Sequence, residues 1–129
     1  MKKIVLILTF ITFGVIINQS CKKDNTLKNN LTGTKWKYEK QYTNNLYITY
    51  EEEVLNFTST TRGYSDYHIE YNTSDGNENY DGSKNFTYDY QDFNGAIYFD
   101  NTDGGREFII NGNELKITHN GTTNIFYKL

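Results

Sequence analysis

The residue best placed to do covalent chemistry is Cys21, the only cysteine of the 129-residue chain. It follows a short positive start, Met1-Lys2-Lys3, and then an almost entirely apolar run over residues 4–17. A run of this length is too short to cross a bilayer comfortably and is typical of the hydrophobic region of a secretion signal. With a single cysteine, no disulfide can form within the chain. The pattern predicts a signal peptide over residues 1–20.

The junction Asn18-Gln19-Ser20-Cys21 resembles the lipobox of bacterial lipoproteins, in which a small residue precedes a cysteine. The resemblance implies that the Cys21 thiol is acylated and that the chain is cut just before it. Asn18 and Gln19 depart from the aliphatic and small residues that the family prefers at those positions. The alternatives are an ordinary secreted protein cleaved near Ser20 and an uncleaved membrane anchor.

Residues 22–30 are polar, with Leu27 as the one apolar side chain. Such a segment cannot bury enough apolar surface to fold alone, so residues 21–30 are predicted to be an acylated cysteine with a flexible tether. Two or more acyl chains hold a protein firmly at a membrane. The resemblance therefore implies a lipid-anchored, extracytoplasmic protein of the cell membrane or outer membrane.

Composition limits what the folded part can bind. Without Lys2 and Lys3, the chain carries 11 basic and 16 acidic residues. This balance and the scattered lysines argue against nucleic acid, which requires a clustered basic face. The chain has 12 Tyr and no Pro, and both features favour strands. Residues 31–129 are predicted to form one small domain.

Apolar and polar residues alternate along this domain, which is typical of antiparallel strands with one solvated face. Trp36 is expected inside, near the closed end of a barrel, as the anchor of the first strand. The residues assigned to the apolar face are Trp36, Tyr38, Tyr42, Leu55, Phe57, Tyr67, Ile69, Tyr71, Phe86, Tyr88, Tyr90, Ile97, Phe99, Phe108, Ile110, Leu115, Ile117, Ile125, Tyr127 and Leu129.

Turn signals separate the alternating runs, because Asn-Gly and Asp-Gly supply the positive φ that tight hairpins need. Residues 73–84 are predicted as a long hairpin loop, and Glu51-Glu52-Glu53 as a solvated rim at a strand start. The predicted turns are Thr43-Asn44-Asn45, Thr73-Ser74-Asp75-Gly76, Tyr80-Asp81-Gly82, Asn94-Gly95, Thr102-Asp103-Gly104-Gly105, Asn111-Gly112 and Asn120-Gly121. The pattern predicts an all-β, antiparallel up-and-down meander of about eight strands, either closed as a barrel or packed as a β-sandwich.

Three motifs resemble bacterial lipocalin-like lipoproteins. The segment Leu31-Thr32-Gly33-Thr34-Lys35-Trp36 is similar to the Gly-Thr-Trp start of that family. The hairpin over residues 109–117 resembles its second-to-last hairpin, and Phe126-Tyr127-Lys128-Leu129 resembles its last strand. Trp36 stands three residues after Gly33 rather than two, and no arginine lies near the C-terminus. The resemblance implies a lipocalin-like barrel over residues 31–129.

The inward aromatic residues leave two readings of the barrel interior. They could line a cavity for an amphipathic ligand, with hydroxyls at the mouth, or fill a small barrel completely. The candidate ligand-binding residues are Trp36, Tyr38, Tyr67, Tyr71, Tyr88 and Tyr90.

The sequence contains no complete catalytic or metal-binding motif. His68 and His119 fall in predicted strands and have no spacing that demands a shared site. The segment over residues 75–82 alternates oxygen side chains as a calcium loop does, but Tyr80 stands where an EF-hand needs glycine. There is no Gly-x-Ser-x-Gly nucleophile elbow. We expect no catalytic residue, metal or cofactor.

These observations favour a membrane-anchored, non-catalytic binding protein for a small amphipathic ligand. The alternative is a protein-interaction or inhibitor module of the cell envelope, whose partner is another envelope protein. An open pocket lined by the tyrosines would favour the small ligand, and a filled interior with an exposed aromatic patch would favour the protein partner.

Overall fold

A computed structural model describes residues 30–44, 47–102 and 104–129. The predicted signal peptide, Cys21 and most of the tether therefore lie outside the described residues. The described part is all-β. Its strands are β1 (Lys35–Thr43), β2 (Tyr47–Phe57), β3 (Arg62–Thr73), β4 (Gly76–Gln91), β5 (Asn94–Phe99), β6 (Arg106–Asn111), β7 (Glu114–His119) and β8 (Thr122–Lys128).

The eight strands form one closed antiparallel barrel in chain order. Each strand pairs with its neighbours along the chain, and β1 closes the barrel against β8 through Trp36 opposite Lys128 and Lys37 opposite Tyr127. The backbone N–H of Leu129 adds a hydrogen bond of 3.0 Å to the carbonyl oxygen of Lys35. The predicted eight-strand meander is confirmed, and the barrel replaces the alternative sandwich.

The two halves of the barrel differ in strand length. Strands β1 to β4 have 9 to 16 residues, whereas β5 to β8 have 6 or 7. β4 pairs with β5 only from Phe86 onward, and β1 pairs with β8 only at Trp36 and Lys37. The remaining parts of β1 to β4 continue past the closed barrel as a four-stranded sheet, which we call the extension (residues 38–43, 47–53, 67–73 and 76–82).

The core occupies the end of the barrel where the described chain begins, which we call the filled end. Every strand except β3 contributes apolar side chains to it, and Leu31 enters it from before β1. Trp36 has no exposed surface, and its Nε1 donates to Thr34 Oγ1 at 2.9 Å. The buried apolar cluster is Leu31, Trp36, Leu55, Phe57, Phe86, Tyr88, Ile97, Phe99, Phe108, Ile110, Leu115, Ile117 and Phe126. The predicted inside position of Trp36 is confirmed.

The predicted loop over residues 73–84 is wrong, and so is the predicted turn at Tyr80-Asp81-Gly82. β4 runs without interruption from Gly76 to Gln91, and a two-residue connection joins Thr73 to Gly76. Cross-strand hydrogen bonding to β3 holds this polar sequence in extended form. Its side chains are mostly exposed in the extension, so their polarity carries no burial penalty.

Glycine also misled the turn prediction at Asn94-Gly95. The turn lies two residues earlier, where Asp92 and Phe93 have φ of 51° and 72°. Gly95 lies inside β5. The residue there is glycine because a side chain would clash with the ring of Phe108 on the neighbouring strand. Gly95 therefore permits close packing between two strands and does not form a turn.

The face assigned to Ile125, Tyr127 and Leu129 at the end of the chain is wrong. In β8 the inward residue is Phe126, which pairs with buried Leu115, while Tyr127 and Leu129 are exposed.

The run Glu51-Glu52-Glu53 lies in the middle of β2 rather than at a strand start, opposite residues 38–40 of β1. Pairing with both neighbours keeps these glutamates in the strand despite their low strand propensity.

Trp36→Ala should destabilise the protein by about 3–5 kcal/mol, since it removes a fully buried ring and leaves a cavity. Denaturant unfolding of the two proteins measures this difference. In the wild type, the single tryptophan should emit at short wavelength and resist quenching by iodide. Emission near that of free tryptophan, with easy quenching, would contradict the buried position.

Candidate ligand-binding site at the open end

A cavity of about 310 Å³ lies inside the barrel beyond the core, at the end where the extension begins. Strand register directs nearly all of its lining side chains inward. Phe99 forms the border with the core. The lining residues are Tyr38, Glu51, Glu52, Glu53, Tyr67, Ile69, Lys84, Phe99, Arg106 and Asn124.

One wall of the cavity is acidic. Glu53 lies on β2 directly between Tyr38 of β1 and Tyr67 of β3. The buried hydroxyl of Ser65 donates to Glu53 Oε1 at 2.5 Å, and the hydroxyl of Tyr42 donates to Glu51 Oε1 at 2.8 Å. These hydrogen bonds fix the positions of the two carboxylates. Glu52 also borders the cavity, but its carboxylate is bonded to the Lys37 ammonium group and the Tyr50 hydroxyl on the outer face.

Two cations lie in the same cavity. Lys84 Nζ stands 5.5 Å from the ring centroid of Tyr67, and the guanidinium carbon of Arg106 stands 4.7 Å from that of Phe99. Such cation–π contacts orient the cationic groups without neutralising them. Among the residues that the structure describes, neither cation forms an ion pair with a carboxylate.

The surroundings of Tyr38 in the cavity keep its phenol protonated. Burial raises the pKa of Tyr38, and the negative charges of Glu51 and Glu53 raise it further. The Tyr38 phenol therefore remains a hydrogen-bond donor at any physiological pH, beside two carboxylates that only accept. The cavity thus offers a bound molecule hydrogen-bond donors, hydrogen-bond acceptors and side chains of both charge signs.

An aromatic groove continues from the cavity along the inner face of the extension. It has a volume of about 630 Å³ and is lined by Tyr47, Tyr67, Ile69, Tyr71, Thr73, Glu78 and Tyr80. Tyr71 is its centre, with edge-on ring contacts to Tyr47 at 5.9 Å and to Tyr80 at 5.8 Å. Tyr67 and Ile69 line both the cavity and the groove, so the two spaces adjoin.

The six predicted ligand-binding residues separate into two groups. Tyr38 and Tyr67 line the cavity and Tyr71 lines the groove. Trp36, Tyr88 and Tyr90 instead belong to the core or pack against it.

The two core tyrosines have structural partners. The Tyr88 hydroxyl donates to the Ser59 carbonyl oxygen at 2.6 Å. Tyr90 stacks on Phe108 with centroids 5.7 Å apart, and burial raises the pKa of Tyr90 to about 12.

The charged lining residues were missed by the sequence analysis. Glu51, Glu53, Lys84 and Arg106 all occupy inward positions of the strand alternation, in phase with Leu55, Phe86 and Phe108. Extending the alternation of β2, β4 and β6 toward their polar ends places these four residues inside the barrel. In each strand the apolar residues that mark the inner face end before the charged position.

Neither histidine forms part of this site. His68 lies on the outer face, where its Nδ1 is 2.6 Å from Asp81 Oδ1, and this contact raises the pKa of His68. His119 ends β7 and contacts the side chain of Asn120. Over residues 30–44, 47–102 and 104–129, no group of three His, Cys, Asp or Glu is arranged to hold a metal ion.

Comparison with protein-family models, curated proteins and solved structures found no match to this chain. Within the described ranges, no helix has the length and apolar character needed to cross a membrane.

The position of Tyr67 depends on the absence of a side chain at Gly82. The two residues are cross-strand partners, and a Cβ at Gly82 would clash with the Tyr67 ring and hydroxyl. Gly82→Ala should therefore destabilise the protein by about 1–3 kcal/mol, or displace the ring from the cavity wall. Denaturant unfolding and the aromatic NMR signals of Tyr67 measure these two effects.

Ser83→Ala is the matched control, because Ser83 is exposed and points to the opposite face of β4. An alanine in place of an unconstrained strand glycine normally stabilises. If Gly82→Ala were as stable as the control with the Tyr67 signals unmoved, the close packing described above would be wrong.

Proposed function

We propose that this chain is a membrane-anchored, lipocalin-like lipoprotein that binds a small amphipathic ligand without catalysing a reaction. One observation carries the proposal: a cavity lined by charged groups adjoins an aromatic groove, with Tyr67 and Ile69 shared between them. A molecule with a polar head and an apolar tail matches this sequence of surfaces. The combined volume is within the range usual for small-molecule sites.

The polar head belongs in the cavity, because the charged side chains lie there. Here Glu53 and Arg106 would bind its charged groups, and the Tyr38 hydroxyl would donate to it. The apolar tail belongs in the groove against the rings of Tyr71 and Tyr47, which offer flat apolar surface with hydroxyls at the edges. The tail would thereby cover aromatic surface that is otherwise exposed to solvent.

The course of the chain suits a tethered receptor of this kind. Leu31 is buried at the filled end, so the described part of the chain begins at the end of the barrel opposite the cavity. A lipid on Cys21 would anchor the filled end and leave the cavity and the groove open to solution. Two or more acyl chains make such an anchor stable without a membrane-spanning helix.

A second candidate is a protein-interaction or inhibitor module, and one observation favours it. Over residues 76–84 one edge of β4 has no strand partner in the described part of the chain, and the exposed Tyr80 projects beside it. An extended peptide could add to such an edge as a further strand. The binding of small ligands remains our first proposal, because the interior is open at the tyrosine end.

The lipid anchor predicts that Cys21 takes up fatty acid in cells. Metabolic labelling with a palmitate analogue should tag the wild-type protein and not Cys21→Ala, since no other thiol is present. The unlabelled variant should also leave the membrane fraction. Equal labelling of the two proteins would disprove the anchor while leaving the ligand site untouched.

The ligand site predicts that a charge placed between the cavity and the groove abolishes binding. Native mass spectrometry of the full chain purified from its own membrane should show a bound amphiphile. Ile69→Lys should lose it, because an ammonium group would lie where the apolar tail begins.

Ile48→Lys is the matched control, since Ile48 is exposed on the outer face of the same sheet. It should retain the amphiphile. Equal retention by Ile69→Lys and Ile48→Lys would place the amphiphile elsewhere and overturn the proposed site.

A further inference from the structure

We infer that the polar head of the ligand is a zwitterion, in which an ammonium group is joined to a phosphate or carboxylate. The inference rests on the proposed function, because it concerns the occupant of the same cavity. It is carried by the arrangement of four charged side chains, Glu51, Glu53, Lys84 and Arg106.

The four side chains provide two charges of each sign within one small cavity. The structure records no ion pair between them. Each carboxylate instead accepts a hydrogen bond from a neutral hydroxyl. Elsewhere in the described residues the same residue types do pair, as Lys37 does with Glu39 at 2.7 Å and with Glu52 at 3.0 Å. The cavity therefore holds its opposite charges apart.

The barrel topology explains this separation. Three strands lie between β2 and β6 in either direction around the eight-stranded barrel. Glu53 on β2 and Arg106 on β6 consequently face each other from opposite walls. Lys84 reaches the cavity from β4 and is held over Tyr67, while Arg106 is held over Phe99. Aromatic faces thus fix both cations in place of ion pairs with the glutamates.

The sign of the ligand's charge follows from desolvation. A ligand that enters the cavity displaces the water that solvates these four side chains. A neutral ligand would place no opposite charge against either carboxylate or either cation in exchange for that water, which is unfavourable. An anionic ligand would satisfy Lys84 and Arg106 but would stand against the glutamates, and a cationic ligand would have the reverse conflict. A zwitterion compensates both walls in one orientation.

The chemistry of each wall identifies its half of the zwitterion. Arginine matches phosphate and carboxylate through its planar set of donors, so the anionic group faces Arg106. The ammonium group faces Glu53, which lies between the rings of Tyr38 and Tyr67, and carboxylates with aromatic neighbours suit a cation. A volume of about 310 Å³ accommodates a head group of this size.

Competition between probes that share one tail tests the inference. The full chain is mixed with equimolar lauroyl lysophosphatidylethanolamine, lauroyl lysophosphatidic acid and dodecylamine, which are zwitterionic, anionic and cationic. Native mass spectrometry then counts the complexes. The zwitterion should exceed each of the other two by roughly tenfold, the effect of one charge-assisted contact. Free phosphoethanolamine should compete if a soluble zwitterion is bound, and should fail if the lipid tail is required.

Two variants assign the charges to the walls. Glu53→Gln keeps an acceptor for Ser65, so the fold is preserved, and it should remove the preference for the zwitterion over the anion. Arg106→Met keeps a side chain over Phe99 and should weaken both phosphate-bearing probes about tenfold. Glu107→Gln and Arg62→Met are the matched controls, because both residues are exposed outside the cavity. They should leave the preferences unchanged.

The outcomes separate the inference from the function beneath it. If the anion or the amine binds as well as the zwitterion, or if Glu53→Gln leaves the preference intact, the inference is overturned while the ligand site stands. If no probe binds to the wild type, both the inference and the proposed ligand site fail.

Discussion

The structure depends on how large rings are accommodated inside a narrow barrel. The chain has 12 Tyr and 8 Phe, and a ring at an inward position needs space beside it on the neighbouring strand. At three positions a glycine on the neighbouring strand provides the space. A Cβ at Gly63, Gly82 or Gly95 would clash with the facing rings of Phe86, Tyr67 and Phe108, respectively. Two of these pairs build the core and the third shapes the cavity, so one packing device serves both ends of the barrel.

The fold was predictable to the extent that alternation is a local property. The number of strands, their antiparallel order and the burial of Trp36 follow from period-two patterns and short turns. The turn at Asn120-Gly121 was also readable, because both residues adopt positive φ there. Gly82 and Gly95 were misread because their role depends on rings in strands that are adjacent only after folding. Glycine has the same local signature in a turn and beneath an aromatic ring.

The site was harder to predict than the fold. Tyr38, Tyr67 and Tyr71 were found because aromatic residues mark the inner face. The charged residues were missed because polar side chains are normally assigned to the solvated face. Glu53 and Arg106 break this rule while keeping the strand phase. Such a conflict between residue type and position is expected where a protein retains polar groups for a ligand rather than for stability.

Unequal strand lengths give the barrel its direction. If all eight strands ended together, the second half of the barrel would cover the inner face of the extension, and the groove would be enclosed. Because β5 to β8 stop early, the rings around Tyr71 stay open to solution on one side. The residues that fill the other end, with Leu31 and Trp36 among them, remove any passage through the barrel. The proposed ligand would therefore enter from the side of the aromatic groove, with its tail along that groove and its head against the charged side chains of the cavity.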